Sequence, residues 1–101
     1  MKVRVCDLAA LGAKGKTVVE LEGEGVALFR RGDEVLAIGN ECPHQAGSLG
    51  DGWLEGDIVV CPLHGWEFDL RSGACMTIPG ERVPRWIATV EGDAVYLEAA
   101  E

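Results

Sequence analysis

Two short segments, Cys42-Pro43-His44 and Cys61-Pro62-Leu63-His64, constrain this chain more than any other part of its sequence. Together they hold both histidines and two of the four cysteines, with 16 residues, 45 to 60, separating His44 from Cys61. Each segment offers one thiolate and one imidazole beside a proline that stiffens a turn. For the four side chains to serve one metal centre, the fold must bring two turn tips together on a rigid scaffold. A thiolate suits iron–sulfur clusters or zinc, and an imidazole suits zinc, copper or iron. Ligand type therefore leaves a zinc site and an iron–sulfur cluster both open. Structural zinc sites usually take Cys-x-x-Cys from one arm and His-x-x-x-His, or a second Cys-x-x-Cys, from the other. Here both arms are mixed, and both begin with cysteine.

The remainder of the chain reads as β structure. Its 101 residues suffice for one domain, and 48% hydrophobic residues supply an ordinary core. A core of this size is thin, and a bound metal centre would add to its stability. Short apolar stretches alternate with Gly-Asp, Asp-Gly and Gly-Glu pairs, which favour tight turns. In residues 16–22, Val19 and Leu21 face one way and Glu20 and Glu22 the other. Residues 26–31 and 34–38 read as a hairpin about Gly32-Asp33, and 86–90 and 94–97 as another about Gly92-Asp93. Ile58-Val59-Val60 reads as a buried strand ending at Cys61. Trp66, Phe68 and Leu70 alternate with Glu67 and Asp69 in a further strand, followed by a turn at Ser72-Gly73. Only residues 7–11 suggest a helical turn, and the periodicity lapses over 41–53 and again at 62–65. The expectation is one all-β domain over residues 1–101, an antiparallel β-sandwich or small barrel, with the two ligand loops in a subdomain over about 41–80.

Charge narrows the partners. Asp+Glu number 17 against Lys+Arg 9, a net charge of -8, which repels phosphate backbones and anionic bilayers. Neither nucleic acid nor a membrane is expected, and a basic protein patch is the natural complement. No apolar stretch approaches the roughly 20 residues of a membrane span, and the first residues run into a strand-like pattern rather than a signal peptide. Cysteines placed beside the only histidines argue for metal rather than disulfides, hence a reducing, cytoplasmic setting. With both histidines committed to metal, no group is left for acid–base work. The sequence also lacks a phosphate-binding glycine motif and a mononuclear iron triad, so the chain is not expected to be an enzyme in its own right.

Residues 42–69, CPHQAGSLGDGWLEGDIVVCPLHGWEFD, strongly resemble the Rieske [2Fe–2S] ferredoxin family. The match is C-x-H, a 16-residue spacer, C-x-x-H-G, then an aromatic and an acidic residue. The resemblance implies an all-β fold with a cluster-binding insertion and one Rieske-type [2Fe–2S] cluster. Cys42 and Cys61 would hold its buried iron, and His44 and His64 its outer iron. It further implies a one-electron carrier between a flavin- or NAD(P)H-dependent reductase and a terminal oxygenase or similar reductase. The small subunit of an assimilatory nitrite reductase shares the pattern and is the alternative within the family. A zinc-stabilised binding module is the alternative of another class.

Departures from the family pattern carry information too. Membrane-complex members have an extra cysteine in each cluster loop, joined as a disulfide; the corresponding positions here are Gly47 and Leu63. Cys6 and Cys75 lie outside both loops and are expected to be buried thiols without chemistry. Gly47, Gly50, Gly52 and Gly65 are expected as turn glycines, or as small residues that let backbone N–H groups approach the sulfides. Trp53 and Trp66 are expected to pack in the core or, like Gln45, to shield the cluster or line a docking rim. Pro79 resembles the proline of a third family loop, or simply ends a strand. Glu20, Glu22 and Glu24 read as a solvated face, and Asp51, Glu55 and Asp57 as candidates for steering a partner. Where those same membrane-complex members place serine and tyrosine hydroxyls near the cluster, this chain has Trp66 and Phe68. Fewer donors to sulfur stabilise the reduced state less. A redox titration is therefore expected to give a potential near the low end of the Rieske range, about −150 mV, and a value above zero would contradict this reading.

Overall fold

The computed structural model describes residues 2–42, 47–63 and 65–100. Its strands are β1 (Val3–Asp7), β2 (Lys16–Leu21), β3 (Glu24–Arg31), β4 (Glu34–Gly39), β5 (Trp53–Glu55), β6 (Ile58–Val60), β7 (Glu67–Asp69), β8 (Arg85–Glu91) and β9 (Ala94–Ala99). Two 3-10 turns, Leu8–Leu11 and Leu49–Asp51, complete the order of elements. The turn residues explain the hairpins. Between β2 and β3, Glu22 and Gly23 both take positive φ, 53° and 82°, as a two-residue type I′ loop requires. Gly32 and Gly92, at φ 63° and 62°, each open the two-residue loop of the β3–β4 and β8–β9 hairpins.

Six strands form an antiparallel sheet in the order β1-β9-β8-β4-β3-β2. Its outermost strands, β1 and β2, approach each other, so the sheet nearly closes into a barrel. Of the two architectures expected, the barrel is the one found. A second antiparallel sheet, β5-β6-β7, is made wholly from chain lying between β4 and β8, which pair directly in the barrel. That segment is an insertion, and its two ends are joined where Gly39 N–H donates to the Pro84 carbonyl at 2.7 Å.

Burial explains why β3 reads as a continuous apolar run. Val26, Ala27, Leu28 and Phe29 are all inaccessible to solvent. Val26 and Leu28 join Leu11, Val35, Ala37, Val95 and Leu97 in one core. Ala27 and Phe29 point the other way, into a second core with Ile38, Leu49, Val59, Phe68, Leu70, Cys75 and Val83. The first fills the barrel, and the second seals the insertion against its wall. Each fully buried side chain of this size contributes about 1.5–3 kcal/mol.

Four sequence expectations need correction. The irregular stretch at 41–53 contains the second 3-10 turn and ends by entering β5, a strand too short to announce itself by alternation. Of the two roles expected for Trp53, the core one is excluded, because it is 52% exposed; its indole N–H donates to Glu55 Oε2 at 3.0 Å. Cys6 is half-buried rather than buried, with its thiol pKa raised by desolvation. Asp57 does not await a partner. It accepts Arg31 Nε at 3.1 Å and Arg71 Nε at 2.9 Å, and Arg71 also reaches Glu34 at 3.0 Å. This network ties the insertion to the β3–β4 hairpin.

Hydrogen bonds from Arg71, then Arg31, hold the Asp57 carboxyl below its ordinary pKa of 3.8. A depressed pKa gives stability that is present above the unfolded value and lost as pH falls through the folded one. Asp57→Asn should therefore lower the melting temperature at pH 7 and shrink the difference from the parent below about pH 4, as thermal melts at both pH values would show. Gly52 poses a steric test, because a Cβ there would sit 2.0 Å from the Val60 carbonyl oxygen. Gly52→Ala should cost about 1–3 kcal/mol or more in urea unfolding, since backbone must move to admit it.

Candidate metal centre

The first ligand loop leaves β4 at Asn40, which organises it. Asn40 N–H donates to the Gly25 carbonyl at 3.0 Å, and its own carbonyl accepts Leu49 N–H at 2.8 Å. Its side-chain oxygen accepts Gly50 N–H at 2.7 Å and lies 3.2 Å from the Ser48 hydroxyl. Glu41 and Ser48 form an isolated antiparallel bridge, and Cys42 N–H donates to the Gly47 carbonyl at 2.9 Å. The loop is thus a small clasp with Cys42 and Gly47 facing each other at its base. Nothing in the motif singled out Asn40, although an asparagine immediately after a strand is a recognised turn former.

The second ligand loop continues β6. Cys61 N–H donates to the Trp66 carbonyl at 2.7 Å, and the Cys61 carbonyl accepts Gly65 N–H at 3.0 Å. Gly65 takes φ 75° with open space around it, so its glycine is required by conformation alone. The other three loop glycines are required by contact. A Cβ on Gly50 would lie 2.3 Å from Val18 Cγ2, and Gly52 is closed off by Val60. A Cβ on Gly47 would lie 3.1 Å from Cys61 Sγ and 3.0 Å from Leu63 Cδ1. Gly47 is therefore the point at which the two ligand loops meet.

Cys42 and Cys61 are 2% and 1% exposed, in the core shared by the insertion and the barrel wall. Neither forms a disulfide, nor do Cys6 and Cys75. The structure thus brings together the two cysteines of the sequence motif. The other two motif residues, His44 and His64, lie outside the described residues, as does Gln45. Gly47 and Leu63, the positions at which a disulfide brace would stand, pack directly on each other. Phe68 is fully buried and Trp66 half-buried against the same core, so the core expectation holds for Trp66.

A third segment flanks the second loop. Met76 N–H donates to the Glu67 carbonyl at 2.6 Å, and Glu67 N–H donates to Thr77 Oγ1 at 2.9 Å. Ile78 N–H approaches Cys75 Sγ at 3.4 Å, and exposed Pro79 precedes Gly80 at φ 90°. Pro79 therefore belongs to an exposed turn beside β7 and does not end a strand. Leu63, Met76 and Ile78 leave 53%, 56% and 38% of their surface open.

Comparison with known proteins accords with this geometry. The model of the Rieske [2Fe-2S] domain matches residues 1–91. The ferredoxin component of the naphthalene 1,2-dioxygenase system of Pseudomonas aeruginosa is 33% identical over 81 residues, 79% of this chain and 78% of the relative. Among solved structures, the ferredoxin of carbazole 1,9a-dioxygenase from Nocardioides aromaticivorans superposes with a TM-score of 0.86 at 31% identity, covering 99% of both chains. A structure described as a putative nitrite reductase NADPH small subunit superposes with a TM-score of 0.87 at 31% identity, over 98% of this chain and 99% of that one. On these matches, the chain belongs to the Rieske [2Fe–2S] domain family.

Proposed function

We propose that Cys42, His44, Cys61 and His64 hold the Rieske-type [2Fe–2S] cluster of this family, and that the chain relays single electrons to an oxygenase or similar terminal enzyme. The observation that carries the site is the meeting of the two loops at Gly47, with Cys42 and Cys61 both buried in the same core and neither in a disulfide. Buried thiolates paired with a metal fit this environment, whereas isolated ones would not be tolerated there. When bound, the cluster supplies a site that accepts and releases one electron without bond making or breaking in the protein. The protein's part is to hold the sulfur donors rigid and dry at the core. His44 and His64, next to the cysteines in sequence, would take the solvent-facing iron and form the electron port.

The chain is an electron-transfer component, not a catalyst, as are the ferredoxins it resembles. A flavin- or NAD(P)H-dependent reductase is the proposed donor. One domain over residues 1–101 is proposed, with the insertion as its cluster-binding subdomain and the cytoplasm as its location. No helix among the described residues is long and apolar enough to cross a membrane. The nitrite reductase reading is favoured by one observation, the near-complete superposition on a putative small subunit of that system. Co-purification with a large sirohaem-containing subunit would select it, and reduction by a separate flavoprotein would select the ferredoxin.

The purified protein should be red-brown and, once reduced, should give an EPR signal of low average g; a colourless zinc protein would overturn the cluster. Cys61→Ser should abolish the visible absorption. His64→Cys should change the spectrum and lower the potential, because a thiolate adds negative charge beside the iron, and an unchanged spectrum would remove His64 from the ligand set.

A further inference from the structure

Leu63 is half open to solvent, with 53% of its surface exposed, yet it is tightly engaged on its other side. Its Cδ1 and Cγ lie 3.0 and 3.1 Å from where a Cβ on Gly47 would stand, and Cys61 Sγ lies 3.1 Å from the same point. The leucine thus fills the notch that the missing side chain of Gly47 leaves in the opposite loop, beside the Cys61 sulfur. Each loop is closed on itself by its own hydrogen bond, Cys42 N–H to Gly47 in the first and Gly65 N–H to Cys61 in the second. Those bonds fix the shape of each loop but not the spacing between them. The contact at the notch acts across the gap.

We infer that Leu63, seated on Gly47, clamps the two ligand loops together and caps the Cys61 sulfur against water. This rests on the reading that Cys61 is a cluster ligand. A clamp of dispersion contacts works only while surfaces fit closely, since a gap of half an ångström to one ångström already forfeits much of the attraction. Truncating Leu63 would open the notch, admit water to the sulfur and let the loops separate. Water at the site favours the reduced state, which carries one more negative charge, so the potential should rise. Gly47→Ala would act from the other side by lifting Leu63 out of its seat.

The test uses the whole purified protein, with loss of visible absorption in excess EDTA as the measure of cluster lifetime and a redox titration as a second readout. Leu63→Ala should lose its cluster at least about fivefold faster, a difference of roughly 1 kcal/mol in the barrier, and should titrate at a more positive potential. Leu63→Met keeps bulk at the notch and should restore most of the lifetime, which keeps the test decisive if the alanine variant fails to fold. A lifetime and potential for Leu63→Ala matching a red-brown parent would overturn the clamp. An equally short lifetime for Leu63→Met and Leu63→Ala would overturn it too. A colourless parent would instead overturn the cluster reading on which the clamp depends.

Discussion

Everything in this fold depends on one strand being buried on both faces. Val26, Ala27, Leu28 and Phe29 are consecutive and wholly inaccessible, so β3 serves as wall to two cores at once. A strand in a small antiparallel barrel ordinarily shows one face to water and alternates accordingly. Here the insertion covers the outer face, and Phe29 and Ile38 give it an apolar floor. Without that floor, a three-stranded sheet of three-residue strands would be too small to hold its shape. The ligand loops inherit their rigidity from the barrel through this shared strand.

The same dependence accounts for the distribution of charge at the base of the insertion. Asp57 ends the turn before β6, and Cys61 follows the last residue of that strand. The Arg31–Asp57–Arg71–Glu34 network therefore anchors the end of β6 remote from the thiols. Polar ties fix the insertion at one end, where solvent can screen them, while apolar packing and close backbone approach govern the other.

Much of this was legible in the residues, for identifiable reasons. Gly32-Asp33 and Gly92-Asp93 announced their hairpins because positive φ at glycine is a local requirement. The Cys/His spacing announced the centre because few other arrangements need those residue types so close together. What escaped was tertiary in origin. Nothing local tells that Gly47 lacks a side chain because Cys61 and Leu63 occupy its space, or that Gly52 abuts Val60. Asp57 looked like an unspent surface charge because its partners are Arg31, 26 residues earlier, and Arg71, 14 residues later. Trp53 looked like core because tryptophan is mostly apolar, yet a short strand at the rim of the small sheet turns it outward.

That short strand has a consequence for how other proteins can engage the molecule. β5 is an outer strand of the small sheet, yet it offers only three residues of backbone and ends in the charged Glu55. An extended peptide would find too few free N–H and C=O groups there to add itself as a fourth strand. A partner that meets β5 must then grip it by side chains and not by main chain, a mode of association that can be made and broken quickly.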